Sequence, residues 1–360
     1  MPGRPLDGKP YIWSWWRGIL TVSRVAPFMI MNKLGLRVIW GLLMAAGSLS
    51  AWAQTCQVRD EIPDQARSAI ENSAQRIFEQ AGSGDVNTIK ANTITALQSN
   101  FNGIAAAIND NKTAFSGAKP QIRNSFLLDT GATPSPDGRF YCGIFEASGM
   151  SANSAAFDIP GLPVGKYSIV ILDFTGSRGP YSLTIIFQEQ NGWKLAGFYV
   201  RPESALGHDG IWFLQHARDY KSKGQSHNAW FYYSTSWDLL APVTFMDTRL
   251  LSKIIQESNS VQPKDVPAGG KPVSYSANGK TYNITDMSVF RLANTFDLNI
   301  RYSVPSTADF NATQADARQL ATAYVAQYPE LKDTFNNIYA HAVDSSGGDV
   351  VGLVTLKPAK

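Results

Sequence analysis

Four histidines carry the side chains best suited to metal binding or general acid–base chemistry. They are His208, His216, His227 and His341. His208 and His216 are eight positions apart on a predicted helix, about 80° apart around its axis, whereas two imidazoles on one metal need the i,i+4 spacing. The chain has no H-E-x-x-H sequence and no cluster of Cys and His. We therefore predict structural or surface histidines, no metal site and no cofactor.

Carboxylates are the remaining candidates for catalysis. Asp158, Asp173 and Glu189 fall on predicted strands, where burial inside a curved sheet would raise their pKa values for acid–base work. Polar residues of this kind are also ordinary at strand ends, and that interpretation is favoured. The chain contains neither a G-x-S-x-G nucleophile elbow nor a glycine-rich phosphate-binding motif. No catalytic residue is assigned.

Aromatic residues crowd one predicted helix. Residues 230–233 read Trp-Phe-Tyr-Tyr, and Trp237 follows within the same helix. Because successive positions point in all directions around a helix, this helix cannot leave an entirely polar face. It is either buried on every side, which is favoured, or it presents an aromatic patch to a partner. Trp230, Tyr233 and Trp237 are therefore the candidate binding residues.

Residues 31–53 have the order of a secretory signal peptide. Lys33 and Arg37 precede a short apolar run, and an A-x-A sequence ends at Ala53, which predicts cleavage between Ala53 and Gln54. The run is shorter than the roughly 20 residues of a spanning helix. We expect no transmembrane segment in the mature chain and a periplasmic or secreted location.

Residues 1–30 are unusual in front of such a leader. They contain three tryptophans but no continuing helical or strand period. We interpret them as a start-site artefact, with translation beginning at Met31 or Met29.

The mature chain contains two cysteines, Cys56 and Cys142. Lipidation of Cys56 is disfavoured because the preceding Gln54 does not fit a lipoprotein box. Oxidising compartments favour pairing of two exported thiols. We therefore predict one disulfide between them, from cysteine number and compartment alone.

The composition is that of a folded protein, with 44% hydrophobic and 17% charged residues. The formal net charge is +3, but the first 53 residues carry the excess of basic side chains. Beyond them acidic residues slightly outnumber basic ones, which argues against a nucleic-acid partner.

The mature chain begins with a predicted α+β unit, residues 54–203. Apolar residues at helical spacing predict helices over 64–78 and 94–108. A two-residue period then predicts strands, and Asn191-Gly192 is typical of a tight hairpin turn. The predicted strands are 121–128, 139–146, 155–159, 166–174, 181–189 and 193–200.

Two of these segments resemble the NTF2-like superfamily. They are the helix with a Gly-Asp exit at 78–85 and the terminal strand sequence NGWKLAGFYV at 191–200. The resemblance covers about residues 60–203 and implies helices followed by a curved antiparallel sheet with a cone pocket. The superfamily contains isomerases, dehydratases and non-catalytic binding modules, so this fold does not fix a function.

Residues 204–262 are predicted to be helical. The stretch 210–243 resembles a single tetratricopeptide-type hairpin, with Ala217 and Ala229 at close-approach positions and Gly224 at the turn. Ser236 stands where that pattern prefers Ala. A helix at 247–258 would cap the hairpin. A simple linker hairpin packed on the sheet is an equally supported interpretation.

The segment 263–272 is rich in Pro and Gly and is predicted to be a linker. Strand and helix patterns beyond it predict a second α+β unit over 273–360. The fold class is therefore α+β, with N-terminal helices and an antiparallel sheet, a helical middle segment and a small C-terminal α+β domain.

These observations favour an exported, non-catalytic binding or protein-interaction module of the bacterial cell envelope. Its expected partner is an envelope protein or a small apolar ligand. The alternative is an NTF2-like isomerase or hydrolase that acts on a small apolar molecule in the cone pocket.

Overall fold

Helices and largely antiparallel sheets follow one another along the chain, which confirms the predicted α+β class. The computed structural model describes residues 55–132, 138–146, 149–151, 154–292 and 294–357. The predicted start-site artefact (1–30) and signal peptide (31–53), with its cleavage between Ala53 and Gln54, lie outside these residues. Within the described ranges, every helix is too short or too polar to cross a membrane.

Helices form the first packing layer. The first of them buries Ile70, Ala74 and Ile77, the apolar positions that recur at helical spacing. It ends at Gly84, whose φ of 75° is a left-handed conformation that glycine adopts without a Cβ clash. The helices of this layer are α1 (Asp64–Ser83), α2 (Val86–Ala91), α3 (Thr95–Gln98) and α4 (Asn102–Phe115).

Strands supply the second layer, and β1, β2, β7, β8 and β9 form a five-stranded antiparallel sheet in that order. Asn191 and Gly192 adopt positive φ values of 51° and 106° in the turn between the last two strands, as the Asn-Gly pair predicts. The strands of this half are β1 (Thr55–Val58), β2 (Gln121–Asp129), β3 (Arg139–Cys142), β4 (Phe145–Glu146), β5 (Gly149–Met150), β6 (Ala155–Asp158), β7 (Lys166–Gly176), β8 (Gly179–Glu189), β9 (Trp193–Pro202), β10 (Ser204–Ala205) and β11 (His208–Asp209).

Both faces of the five-stranded sheet are covered. Its central strand, β7, is therefore buried along most of its length. Val170 and Leu172 belong to the core on the face that α1 and α4 cover. Ile169 and Ile171 belong to the core on the opposite face. There they pack against a second, three-stranded antiparallel sheet in the order β12 (Met246–Thr248), β6 and β3.

A disulfide joins the two sheets. It links Cys56 in β1 to Cys142 in β3, with the two Cα atoms 4.8 Å apart. The pairing that cysteine number and compartment predict is therefore confirmed.

The helical middle segment consists of α5 (Gly210–Ser222), α6 (Ser226–Leu240) and α7 (Arg249–Asn259). Gly224, with a φ of 73°, forms the turn between α5 and α6. The hydroxyl of Ser236 on α6 donates to the carbonyl oxygen of Gly210 on α5 at 2.7 Å. A Cβ at Gly210 would lie 2.5 Å from Cγ of Leu240, so this close approach requires glycine.

The C-terminal part is a second five-stranded sheet in the order β13 to β17. β15 and β16 are parallel and the other pairs are antiparallel, so a helical crossover connects β15 to β16. The elements are β13 (Val273–Ala277), β14 (Lys280–Leu292), β15 (Thr295–Ser303), α8 (Phe310–Gln327), α9 (Leu331–Thr334), β16 (Asn337–Val343) and β17 (Asp349–Thr355).

The helical middle segment and the C-terminal sheet share one hydrophobic core. The ring of Phe296 stacks with Phe213 of α5 at 5.9 Å and with Phe335 at 5.3 Å between centroids. The segment 263–272, predicted to be a linker, connects the two parts but is partly buried itself, with Val266 only 2% exposed.

Candidate ligand-binding cavity

A cavity of about 590 Å³ lies beside the three-stranded sheet and is bounded by β8, β9 and the helices α6 and α7. Its volume suits a drug-sized small molecule. The Tyr141 ring in its lining is 56% exposed, so the cavity opens to solvent at that side.

The alternation of side chains along the three-stranded sheet explains part of the lining, and Phe157 and Met246 border the cavity from the core face as well. Phe140, Phe157 and Met246 lie opposite one another across the three strands and belong to the core against the five-stranded sheet. Their chain neighbours point to the opposite face. Those neighbours are Tyr141, Ala156 and Asp247 in one row, with Arg139 and Asp158 paired in the next, and all five line the cavity.

Aromatic rings dominate the apolar part of the lining. Tyr141 and Phe145 pack edge to face at 5.2 Å between centroids. Tyr199 of β9 and Phe245 pack in the same way at 5.5 Å. Ile255 of α7 adds an aliphatic wall. Such a surface favours an apolar or aromatic ligand, because binding removes apolar area of both the ligand and the cavity wall from water.

The charged lining residues already have protein partners. Nη2 of Arg139 lies 3.1 Å from Oδ2 of Asp158. Asp247 accepts hydrogen bonds from the hydroxyl of Ser252 at 2.5 Å and from the backbone N–H of Thr248 at 2.8 Å. Burial raises the pKa of the Asp247 carboxyl, and these hydrogen bonds offset part of the rise.

Of the three predicted binding residues, one lies at the cavity and two are buried in the core. Trp237 lines the cavity. Trp230 is 3% exposed and packs edge to face on Phe231, whereas Tyr233 is fully buried and donates its hydroxyl to Glu257 at 3.0 Å. Burial of α6 in the shared core leaves Trp230 and Tyr233 no face for a partner.

The candidate carboxylates are separated as well. Asp158 lines the cavity, whereas Asp173 accepts a hydrogen bond from Nε of Arg123 at 3.0 Å. Arg123 also pairs with Glu203, which follows the end of β9. Glu189 is exposed at the end of β8. The first sheet therefore uses Asp173 in an ion-pair group away from the cavity.

The four histidines do not form one cluster: His208 and His216 share one tryptophan neighbour, whereas His227 and His341 lie elsewhere. His208 precedes α5 and stacks on Trp212 at 3.8 Å, and His216 stacks on the other side of the same indole at 3.7 Å. His227 contacts Asp265 from α6, and His341 lies on β16 beside Asp349. Among the described residues, no group of three or more His, Cys, Asp or Glu side chains is arranged to hold a metal ion.

Sequence reasoning did not single out most of the cavity residues. Arg139 and Tyr141 are on a predicted strand, and its alternation indicates their common face. Asp247 was predicted to begin the capping helix 247–258, but it lies in β12, whose three residues establish no period and whose partner β6 is far away in the chain. Phe245 precedes β12 and had no signal either.

A comparison of the chain with protein-family models, curated proteins and solved structures finds no match. The class of protein therefore follows from the molecule itself. It is a disulfide-bonded α+β protein with a solvent-open, aromatic-lined cavity.

Proposed function

We propose that this chain is an exported, non-catalytic binding protein of the bacterial cell envelope, and that the cavity is its ligand site. The observation that carries the proposal is the cavity itself, with about 590 Å³ of aromatic-lined space beside the three-stranded sheet. Apolar concave sites with a few polar groups are typical of small-molecule binding.

Export is supported by the leader pattern at 31–53 and by the disulfide between Cys56 and Cys142. The chain expressed with its own leader in a bacterial host is expected to have an intact mass that begins at Gln54 and is two hydrogens short. A mass that retains residues 31–53 after export would contradict the proposed cleavage.

A neutral fluorescent probe tests the ligand site. We expect Nile red to bind the purified protein with saturable fluorescence, because its aromatic body matches the rings in the lining. The variant Ala156→Trp puts an indole in the middle row of the cavity face and is expected to reduce this binding at least tenfold. The control is Ser274→Trp, which adds the same side chain at an exposed position on β13. Equal binding by the two variants would contradict the site.

The arrangement of the N-terminal half also supports its membership of the NTF2-like superfamily. α1 and α4 cover one face of an antiparallel five-stranded sheet, which is the arrangement that the resemblance implies. The contact between α5 and α6 is as consistent with a tetratricopeptide-like hairpin as with a simple hairpin packed on a sheet.

An enzyme is the second candidate, and Asp247 favours it. The helix-covered face of the first sheet is filled by the rings of Phe78, Phe115 and Phe174, with centroids 5.0 to 5.3 Å apart. An isomerase or hydrolase would therefore use the cavity on the other face, with the Asp247 carboxyl, whose pKa burial raises, as the group for acid–base work. Turnover of a bound ligand that Asp247→Asn abolishes, with binding retained, would favour this candidate.

A further inference from the structure

We infer that the ligand is an apolar cation, an organic ammonium compound whose charged group lies against Asp247 and the aromatic rings. This inference rests on the proposed function and names the ligand class of the same cavity.

The charge balance of the lining is the first observation. Among the described lining residues, the guanidinium of Arg139 is the one cation, and two carboxylates, Asp158 and Asp247, are the anions. Asp158 takes the salt bridge to Arg139. The hydrogen-bond partners of Asp247, the Ser252 hydroxyl and a backbone N–H, are neutral, and the Arg139 guanidinium acts on this carboxyl only through space. The cavity therefore has one excess negative charge, which repels an anionic ligand and attracts a cation.

The aromatic rings are the second, independent observation. Tyr141, Phe145, Tyr199 and Phe245 form two edge-to-face pairs around the cavity. Aromatic faces attract cations through their quadrupole, and groups of such rings recognise quaternary ammonium compounds. A positive group with apolar substituents is the ligand chemistry that suits both the rings and the carboxylate in this lining.

The size and remaining walls fit the rest of such a ligand. Met150, Ile186 and Ile255 give the cavity an aliphatic surface. A ligand with only a small polar ammonium ion would leave this surface unused. The expected ligand therefore has an aryl or alkyl body attached to its ammonium group.

Three probes that differ only in their head group test the inference. They are 4-phenylbutyltrimethylammonium, 4-phenylbutanol and 4-phenylbutanesulfonate, titrated into the full purified protein by calorimetry. We expect the ammonium compound to bind at least tenfold more tightly than the alcohol, and the sulfonate to bind least. Its affinity should fall as ionic strength rises, because salt screens the carboxylate.

Two variants locate the charge. Asp247→Asn keeps an acceptor for Ser252 and is expected to weaken ammonium binding about tenfold while binding of the alcohol is unchanged. Asp219→Asn makes the same charge change at an exposed position of α5, outside the cavity, and should leave both affinities as they are. If Asp247→Asn does not fold, the ionic-strength dependence of ammonium binding by the unaltered protein still tests whether a carboxylate attracts the ligand, and binding that salt leaves unchanged would overturn the inference.

The possible failures are distinguishable. If the alcohol or the sulfonate binds as tightly as the ammonium compound and Ala156→Trp blocks it, the charge inference is overturned and the binding function stands. If neither Nile red nor any of the three probes binds, the proposed function is overturned as well.

Discussion

Glu71 on α1 connects three parts of the N-terminal half through one carboxylate. It accepts hydrogen bonds from Nε of Arg59 at 2.8 Å, from Nη2 of the same guanidinium at 3.1 Å and from the hydroxyl of Ser125 on β2 at 2.9 Å. Burial raises the pKa of this carboxyl, but these bonds outweigh burial and hold the pKa below its usual value.

Glu71→Gln is expected to lower the free energy of unfolding by about 1 kcal/mol at neutral pH, a value reduced by the solvent screening of half-exposed Arg59. Because the folded-state pKa is lowered, the stabilisation is complete above the ordinary pKa of Glu and is lost as pH falls through the lowered value. The difference from the unaltered protein should therefore shrink in acid. Urea unfolding of both proteins between neutral pH and pH 3 measures it, with Glu79→Gln at an exposed position of the same helix as the control.

Individual site residues were predictable only where a local pattern exists. Crowding of aromatics indicated Trp237 as a candidate, whereas Asp158 was considered as a strand carboxylate but interpreted as an ordinary polar strand residue. Both line the cavity. Asp247 was not predictable, because its position in the cavity depends on pairing with Ala156, which is distant in the chain. Local periodicity contains no information about such a pairing.

Among the elements, the α5–α6 hairpin depends on a single position without a side chain. At Gly210 an added Cβ would meet Cγ of Leu240 at 2.5 Å and the carbonyl oxygen of Ser236 at 3.1 Å. The two helices would have to separate, and with them the core that they share with the C-terminal sheet.

Gly210→Ala is therefore expected to reduce the free energy of unfolding by about 1–3 kcal/mol, as overpacking does. Gly103→Ala is the matched control, because Gly103 also lies in a helix but has open space around it. That change should leave stability unaltered or slightly higher, since Ala is the better helix former. Thermal unfolding followed by circular dichroism compares the two, and equal melting temperatures would contradict the close-approach argument.

The segment 263–272 is held to the core by Asp265. Its carboxylate contacts Nε2 of His227 at 3.0 Å and accepts the hydroxyl of Tyr324 at 2.6 Å. Nδ1 of His227 lies 3.4 Å from Glu330. Burial raises the pKa of Asp265, but the hydrogen bonds from His227 and Tyr324 leave it lowered.

Asp265→Ala leaves a buried imidazole and a buried phenol without this acceptor, and is expected to cost about 3 kcal/mol of unfolding free energy. Lys264→Ala, at the exposed neighbouring position, should cost almost nothing. Limited proteolysis should also cut the segment 263–272 faster in the Asp265 variant. Identical cleavage rates and urea midpoints for the two variants would show that the segment is held by other contacts.

Elements with a long, regular period were the ones that the sequence predicted well. The predicted strands 121–128, 166–174 and 181–189 correspond to β2, β7 and β8 within a few residues. The short β12 and the pair β10 and β11 were missed, because two or three residues do not establish a period. The contacts of Asp265 were missed because composition alone cannot distinguish a buried connection from an exposed one.

At the scale of the whole molecule, the disulfide fixes the position of the cavity. It joins β1 of the five-stranded sheet to β3, and β3 carries Arg139 and Tyr141 on the cavity face. Without this bond, the small sheet is held by the packing of its inner side chains and by its contacts with α7.

Replacing Cys56 and Cys142 by serine is expected to lower the free energy of unfolding by about 2–5 kcal/mol, because the reduced unfolded chain is less constrained. Nile red binding should weaken as well, since the three-stranded sheet is then less firmly held. Reductant should bring the unaltered protein to the melting temperature of the double variant and leave the variant unchanged. A double variant that melts with the oxidised protein would show that the bond contributes no stability.

The position of β12 in the chain also determines which segment contains the complete cavity. This strand pairs with β6 of the N-terminal half, yet it follows the helical hairpin whose core is shared with the C-terminal sheet. A gene fragment that ends at residue 203 would encode the first sheet and its helices but only two of the three strands that floor the cavity. Recombination at that boundary would therefore transfer the scaffold to a new chain without its ligand site, and the two halves are expected to be inherited together.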